Sequence, residues 1–297
     1  MYKRQIYKLR IKSIAQKNKI LENKVTERTE QLEVSVSQLK DQNNLIESNI
    51  RYASLIQNSI LPELEELKYS YNECFIYYRP KDVVSGDFYW HAKVGDHVIT
   101  VVGDCTGHGV SGAFMSMLAL TTLNFIVNDL NLTNPDEILG WLDTEVHRSL
   151  QKNADHLKDG MDVTVVSYDT IQKKLRVAGA MSDALVIHGD EVIKFSGDRY
   201  PIGADYSLYS KEKKFTPLTK ELTADTYVYL FTDGFQDQFH HTTDKKYMKK
   251  NFREFLIANR SKSLEVQKEL LDKEFATWKG DASQVDDVLV MGLKITI

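Results

Sequence analysis

The sequence predicts an α+β fold: two antiparallel sheets covered by helices, preceded by a long coiled-coil helix. Three observations carry this. No glycine or proline occurs before Pro62, and apolar residues there recur with a seven-residue period. Beyond Glu73, apolar runs of strand length are joined by the two-residue turns Gly95-Asp96 and Gly189-Asp190, which make antiparallel hairpins. Helical stretches are inserted in pairs between these runs, which is unlike the strict strand–helix alternation of a parallel sheet.

The first element is the helix. Ile11, Val25, Leu32, Leu39, Ile46, Ala53 and Ile60 form one seam, with Asn18 in its single gap. The second seam reads Ile14, Leu21, Arg28, Ser35, Gln42, Asn49 and Ile56, apolar at both ends and polar in the middle. This predicts a parallel homodimer through residues 1–62 with a weak centre, in which Asn18 sets register and strand number. A single helix lying on the following domain is the alternative. The first twenty residues hold seven Lys or Arg and no acid. Such a run is either a solvated helix face or the juxtamembrane end of a longer receptor, so an upstream membrane receptor or sensor domain is a candidate partner.

Pro62 ends the helix and divides the chain into 1–62 and a second domain, 63–297. Strands are expected at Cys74–Tyr78, Phe88–Val94 and His97–Gly103. A core helix follows at Val110–Asn128. Asn134-Pro135-Asp136-Glu137 is a helix start, with a capping residue, proline in the first position and acids in the first turn. Further strands are read at Met161–Tyr168, Lys174–Ala180, Ala184–His188, Val192–Phe195 and Tyr227–Thr232. A helix at Leu264–Trp278 and a strand at Val288–Ile297 close the chain. Trp90, Trp141 and Trp278 read as core residues.

Composition narrows the function. A chain of 297 residues that is 42% hydrophobic has enough apolar surface for a sizeable core. A net charge of −4 argues against nucleic-acid binding driven by counterion release. Cys74 and Cys105 are the two cysteines, too few for a disulfide framework or a zinc site, and a reducing, cytoplasmic setting is expected. Met1–Arg10 lacks the apolar stretch of a signal peptide, and the run Gly112–Val127 is shorter than a membrane span.

Gly107-His108-Gly109-Val110-Ser111-Gly112 matches the G-x-G-x-x-G pattern of dinucleotide loops. The pattern requires a strand running straight into the first glycine within a parallel unit. Here Asp104-Cys105-Thr106 intervene, the preceding strand is the second arm of a hairpin, and Asp104 would repel a pyrophosphate. The glycines read instead as a tight turn that starts a helix close to Asp104.

Asp104 follows the apolar run Val98–Val102, Asp233 follows Tyr227–Phe231, Asp87 opens one strand, and Asp286 and Asp287 open the last. Each acid stands where a buried strand meets the surface, and a carboxylate there needs a positive partner. Few Lys or Arg lie near these motifs, so converging carboxylates point to hard divalent cations with oxygen ligands. For any one of them, an ordinary turn residue is the simpler reading; the repetition makes the case.

Six motifs together carry a resemblance: KDVVSGDFYW (Lys81–Trp90), GDCTGHGVSGAFMSML (Gly103–Leu118), DGMDVTVV (Asp159–Val166), YPIG (Tyr200–Gly203), LFTDGFQDQF (Leu230–Phe239) and QVDDVLVMGLKI (Gln284–Ile295). Over about residues 70–297 the chain resembles the bacterial SpoIIE/RsbU type of metal-dependent protein phosphatase, within the protein phosphatase 2C (PPM) superfamily. SNIRYASLIQNSILP (Ser48–Pro62) looks like the linker that joins sensor modules to such domains. The resemblance implies an αββα sandwich with two Mn²⁺ or Mg²⁺ ions. It implies Asp104 bridging both, Asp87, Asp233 and Asp286 around the second, and the backbone carbonyl of Cys105 on the first. Asp287 ranks below Asp286. Gly86 stands where eukaryotic relatives carry an acid, and Asp82 where they carry a phosphate-binding arginine; Arg79 and Lys81 are the nearest basic substitutes. The turn AGAMSD (Ala178–Asp183) departs from the AGANNP or AGHNPP of relatives, at a place beside the expected substrate path.

The implied activity is serine/threonine phosphoprotein phosphatase. A water held between two cations loses its proton near neutral pH and attacks phosphorus in line. The leaving oxygen needs a proton, for which His108 is a candidate, with a structural residue at the helix start as the alternative. Asp162 is either a further acid near the metals or a solvated strand-edge residue. The implied substrate is a phosphorylated anti-sigma-antagonist (STAS) type of regulator, with activity governed through the coiled coil. Competing readings are a small-molecule phosphohydrolase and a non-enzymatic coiled-coil signalling module. No base- or sugar-binding feature supports the first, and the four unpaired acids oppose the second.

Overall fold

The computed structural model describes residues 2–107, 109–151, 160–204 and 213–297. The chain divides into two compact units, 1–52 and 53–297. The described residues of the first unit are all helical and form the beginning of α1 (Tyr2–Ile60). Ile11, Ile14, Leu21, Val25, Leu32, Leu39 and Ile46 are each more than half exposed along it. An isolated helix gains little stability in water without burying its apolar stripe, so this length and pattern fit a coiled coil.

The second unit begins within the last turns of α1, at Ala53, ten residues before the expected start at 63. The helix ends at Ile60, and a short helix α2 (Leu64–Ser70) leads into β1 (Glu73–Arg79), β2 (Phe88–Val94) and β3 (His97–Cys105). Helices α3 (Val110–Asn124) and α4 (Pro135–Gln151) follow. Then come β4 (Met161–Asp169), β5 (Lys174–Ala180), β6 (Asp183–His188), β7 (Glu191–Ser196), β8 (Leu218–Glu221) and β9 (Thr226–Phe231). Helices α5 (Gly234–Asp237), α6 (Lys249–Asn259) and α7 (Leu264–Lys279) precede β10 (Val288–Ile295). One sheet has the order β1-β10-β9-β6-β7 and the other β2-β3-β4-β5-β8, and every pairing within them is antiparallel. The structure is therefore the expected α+β sandwich of two antiparallel sheets with helices outside.

Side-chain alternation along the central strands sorts the core into layers. On β3, Ile99 and Val101 face α3 and α4, whereas Val98 and Val102 face the other sheet. On β9, Val228 and Leu230 join the layer between the sheets, and Tyr229 and Phe231 pack with Phe252 and Phe275 of α6 and α7. Strands buried on both faces explain the near-continuous apolar runs of the sequence.

Three details differ from the sequence reading. The core helix does not remain regular to Asn128: α3 passes at Phe125–Asp129 into a wider turn closed by the Leu130 N–H on the Phe125 carbonyl at 3.1 Å. The widened turn lets the adjacent Ile126 and Val127 both be buried. Val110–Asp129 is long and apolar enough to cross a membrane, but more than half of it is buried inside this domain. Trp141 is 45% exposed and is not a core residue, whereas Trp90 is buried and donates to Asn124.

A polar knot ties the sheets' entry segment together. His91 on β2 bonds Ser70 at 3.0 Å and Thr100 at 3.1 Å, and Tyr71 bonds Thr100 at 2.8 Å. Burial pushes the His91 imidazole down to about 4. A folded value below the ordinary one near 6.5 favours the neutral ring, so its contribution is full above about 6.5 and is lost as pH falls toward 4. Urea unfolding of wild type and His91→Gln at pH 7 and pH 4 checks this: wild type should lose roughly 2–3 kcal/mol more than the variant. Equal losses would remove His91 as the source.

Candidate active site

The acids gather because the strands that carry them end at one edge of the sandwich. In the β3–β4 pairing, Asp104 lies opposite Asp162 and Cys105 opposite Met161. Asp233 follows the end of β9 by two residues, and Asp286 stands two residues before β10, which pairs with β9 in the sheet facing β3 and β4. Asp104, Cys105, Thr106, Gly107, Asp162, Asp233 and Asp286 line a cavity of about 270 Å³. A second cavity of about 410 Å³ shares Asp104, Asp162 and Asp233 and extends past Met181–Asp183, Gln236, Asp237, Lys246, Met248 and Lys249.

Close backbone contacts hold this arrangement. A Cβ on Gly86 would lie 2.8 Å from the Gly107 carbonyl oxygen, and one on Gly112 2.4 Å from the same atom. The glycines of the G-x-G-x-x-G stretch thus bring the start of α3 against the Ser85-Gly86-Asp87 segment, and no side chain fits at position 86. A Cβ on Gly234 would lie 1.8 Å from the Asp287 carbonyl oxygen, so the turn after Asp233 abuts the start of β10. Asp287 is buried, and its two carboxylate oxygens accept the backbone N–H groups of Lys81 at 2.7 Å and Gly86 at 2.8 Å. It clamps the loop and does not line the cavity. Buried Gln238 donates to the Ser283 carbonyl at 3.0 Å and accepts from the Val285 N–H at 3.1 Å, fixing the approach to Asp286. The YPIG stretch pairs with β4: Met161 and Ile202 exchange backbone hydrogen bonds at 3.0 and 2.9 Å beside Asp162.

The electrostatics are those of crowded like charges. Asp104 is pushed well above the usual carboxylate range, first by burial and then by Asp233, Asp286, Asp162 and Asp287. Asp162 is raised to about 6 by burial and by Asp233. Asp233 opens to solvent, but the walls around it still exclude water; burial is the first cause of its upward shift, then Asp237 and Asp286, with Lys246 and a hydrogen bond with Asp104 opposing. Asp87 is raised by burial and by Asp104, against a 2.7 Å hydrogen bond from Thr232 to its Oδ2.

Among the described residues, the ligating atoms along the 270 Å³ cavity are oxygens, apart from the thiol of Cys105, and no Lys or Arg lines it. The Cys105 side chain is packed into the core, leaving its carbonyl as its polar contribution. This donor set fits hard divalent cations. Among the described residues, no three acids, histidines or cysteines are drawn into a closed cage; the carboxylates are gathered but splayed. Of the expected residues, Asp104, Cys105, Asp233 and Asp286 line the cavity and Asp162 joins them. Asp87 sits behind them, only 1% exposed. His108 lies outside the described residues. Neither Arg79 nor Lys81 lines the cleft: Arg79 pairs with Asp272 at 3.1 Å and lies over Phe275. The basic groups that do line it, Lys246 and Lys249, were missed because they follow the acidic motif across an irregular loop with no helical or strand period to place them.

Two antiparallel sheets between helices, with carboxylates converging at the strand ends, define a metal-dependent phosphatase of the protein phosphatase 2C class. The family description Stage II sporulation protein E (SpoIIE) matches residues 94–296. The SiaA-PP2C domain of Pseudomonas aeruginosa is 30% identical, with a TM-score of 0.76 over 85% of this chain and 98% of that one. The PP2C phosphatase domain of SpoIIE with a fragment of its regulatory domain, from Bacillus subtilis, has 16% identity and a TM-score of 0.58 over 75% of this chain and 63% of that one. The RsbU and RsbW domains of Rv1364c from Mycobacterium tuberculosis give 17% and 0.57 over 75% and 60%. A search of curated protein sequences finds no match. The chain belongs to the SpoIIE family of PP2C-type protein-serine/threonine phosphatases.

The crowding makes a prediction about stability. In EDTA at pH 7.5, Asp104→Asn removes one buried like charge and should raise Tm by about 2–4 °C, on the order of 1 kcal/mol. A clear fall in Tm, read by thermal denaturation, would show that Asp104 is held by attractive partners instead.

Proposed function

We propose that this chain is a Mn²⁺- or Mg²⁺-dependent phosphoprotein phosphatase in which Asp104, Asp233, Asp286, Asp87 and the Cys105 carbonyl hold two ions, and that its helix dimerises and governs activity. The carrying observation is the convergence of Asp104, Asp162, Asp233 and Asp286 on one cavity that no basic side chain lines among the described residues. When bound, the ions would neutralise the phosphate's charge and lower the pKa of a coordinated water. Asp104, in the middle of the group, is the residue whose charge both ions would share. Lys246 and Lys249 line the adjoining cleft, where Lys246 pairs with Asp237 at 2.7 Å and Lys249 with Asp183. That cleft opens beside the acids at the protein surface, which favours a phosphoserine or phosphothreonine presented by another protein as the substrate. Family resemblance points to a phosphorylated STAS-type regulator as that protein and to a cytoplasmic location.

Regulation through the helix has a direct structural support within the second unit. Gln57, in the last turns of α1, is 3% exposed. Its Nε2 donates to the Ser85 carbonyl at 2.6 Å and to Ser116 Oγ at 2.9 Å, and its Oε1 accepts the Ser85 N–H at 3.1 Å. Ser85 is two residues from Asp87, and Ser116 lies on the helix that starts beside Asp104. A displacement of the linker helix would act on both segments that present the acids. The polar central seam at Arg28, Ser35, Gln42 and Asn49 leaves two packings of a dimer close in energy.

Two experiments test this reading. With p-nitrophenyl phosphate and Mn²⁺, Asp104→Asn and Asp233→Asn should each lower kcat by at least about a hundredfold. Mn²⁺ at a hundredfold excess over its Kd should raise the wild-type Tm by about 5–10 °C and leave that of Asp104→Asn nearly unchanged. Retained turnover by Asp104→Asn would overturn the metal assignment. For regulation, deletion of residues 1–45 should give a monomer by sedimentation with altered basal turnover, and Gln57→Ala should shift the Mn²⁺ concentration for half-maximal rate. Identical turnover of all three proteins at limiting and saturating Mn²⁺ would make the helix a tether only.

A further inference from the structure

Two exposed methionines border the cleft from separate segments, and each holds a backbone conformation that its side chain disfavours. Met181, in the turn between β5 and β6, has φ +56°. Met248, immediately before α6, has φ +76° and ψ 139°, a combination that belongs almost wholly to glycine. Their side chains are not there to fill the core: Met181 is 47% exposed and Met248 57% exposed. Both line the 410 Å³ cavity that also contains Asp104 and Asp233.

The surrounding structure fixes both residues in these conformations. The Met181 N–H donates to the Asp198 carbonyl at 2.7 Å, and the Met248 N–H to the Gln236 carbonyl at 2.8 Å. The segments are also tied to each other. Asp183, two residues after Met181, accepts from Lys249, which follows Met248, and from Arg253 one turn on at 2.8 Å. A bridged pair of strained, solvent-facing methionines is therefore built at the wall of the candidate active site. Glycine would satisfy the backbone at either place without strain. What methionine adds is a flexible, polarisable apolar surface that adapts to a bound partner.

We infer that Met181 and Met248 form an apolar clamp that takes a hydrophobic side chain of the phosphoprotein next to its phosphorylated residue, so that they determine specificity. This rests on the phosphatase reading above. The cavity is larger than a phosphate group requires; its acid end serves the phosphoryl group, and its methionine end serves the flanking residue. The departure of the AGAMSD turn from its relatives then reflects a preference in substrate, with the chemistry left intact.

The test uses the full chain with saturating Mn²⁺ and three probes: p-nitrophenyl phosphate, a blocked phosphoserine peptide with leucine at the two positions on either side of the phosphoserine, and the same peptide with glycine there. Wild type should favour the leucine peptide by about tenfold in kcat/KM, carried mainly by KM. Met181→Gly/Met248→Gly should lose that preference while keeping aryl phosphate turnover and an undiminished Tm. Met181→Leu/Met248→Leu should keep the preference. Absence of a preference in wild type, or its survival in the double glycine variant, would overturn the clamp. So would an equal loss of aryl phosphate turnover in the glycine variant, which would mean the methionines shape the catalytic loops. Failure of wild type to turn over any probe would remove the phosphatase reading, and the clamp with it.

Discussion

Mutual repulsion among crowded carboxylates is the constraint around which this domain is organised. Asp104, Asp162, Asp233 and Asp286 are brought to one cavity, with Asp87 behind them, and their proximity disfavours their charged forms more than the few attractive contacts favour them. The supporting interactions are accordingly backbone-based and rigid. Asp287 takes two N–H groups from the loop that carries Asp87, Gln238 fixes the segment before Asp286, and three glycines allow loops to touch at distances that exclude a side chain. A divalent cation held among these carboxylates would relieve that repulsion.

Under the regulation proposed above, the same rigidity would give the linker helix its leverage. Gln57 contacts no acid, but it bonds the loop before Asp87 and the helix after Asp104 through one amide group. Packed cores respond to displacement by switching between arrangements more than by gradual deformation. Carboxylates that are gathered without being closed are the kind of element such a displacement can bias.

The cleft divides its work between charge and shape. Acids occupy one end, Lys246 and Lys249 a wall, and Met181 and Met248 present apolar surface beside them. The ion pairs of Asp183 with Lys249 and Arg253 join the two methionine-bearing segments to each other.

Much of this was written in local sequence. The seven-residue period gave the long helix, the Gly95-Asp96 turn gave the β2–β3 hairpin, and acids at the ends of apolar runs located Asp104, Asp233 and Asp286, because periodicity and strand ends are local properties. The weakly apolar strand β8 and helix α6 were not readable: Leu218–Glu221 reads Leu-Thr-Lys-Glu, with a single apolar residue, and α6 shows only Phe252 and Leu256 as its buried stripe. Trp141 read as core because its size suggests burial, but its face of α4 points to solvent. What the sequence by itself determined was the set of acids and the elements that carry them. Only the tertiary structure decided that Asp286 lines the cavity while its neighbour Asp287 clamps a loop, that Gln57 reaches the acid-bearing segments, and that Met181 and Met248 meet at one cleft. Those assignments depend on which backbone groups from distant segments arrive at each side chain, and long-range approach leaves no mark in local spacing.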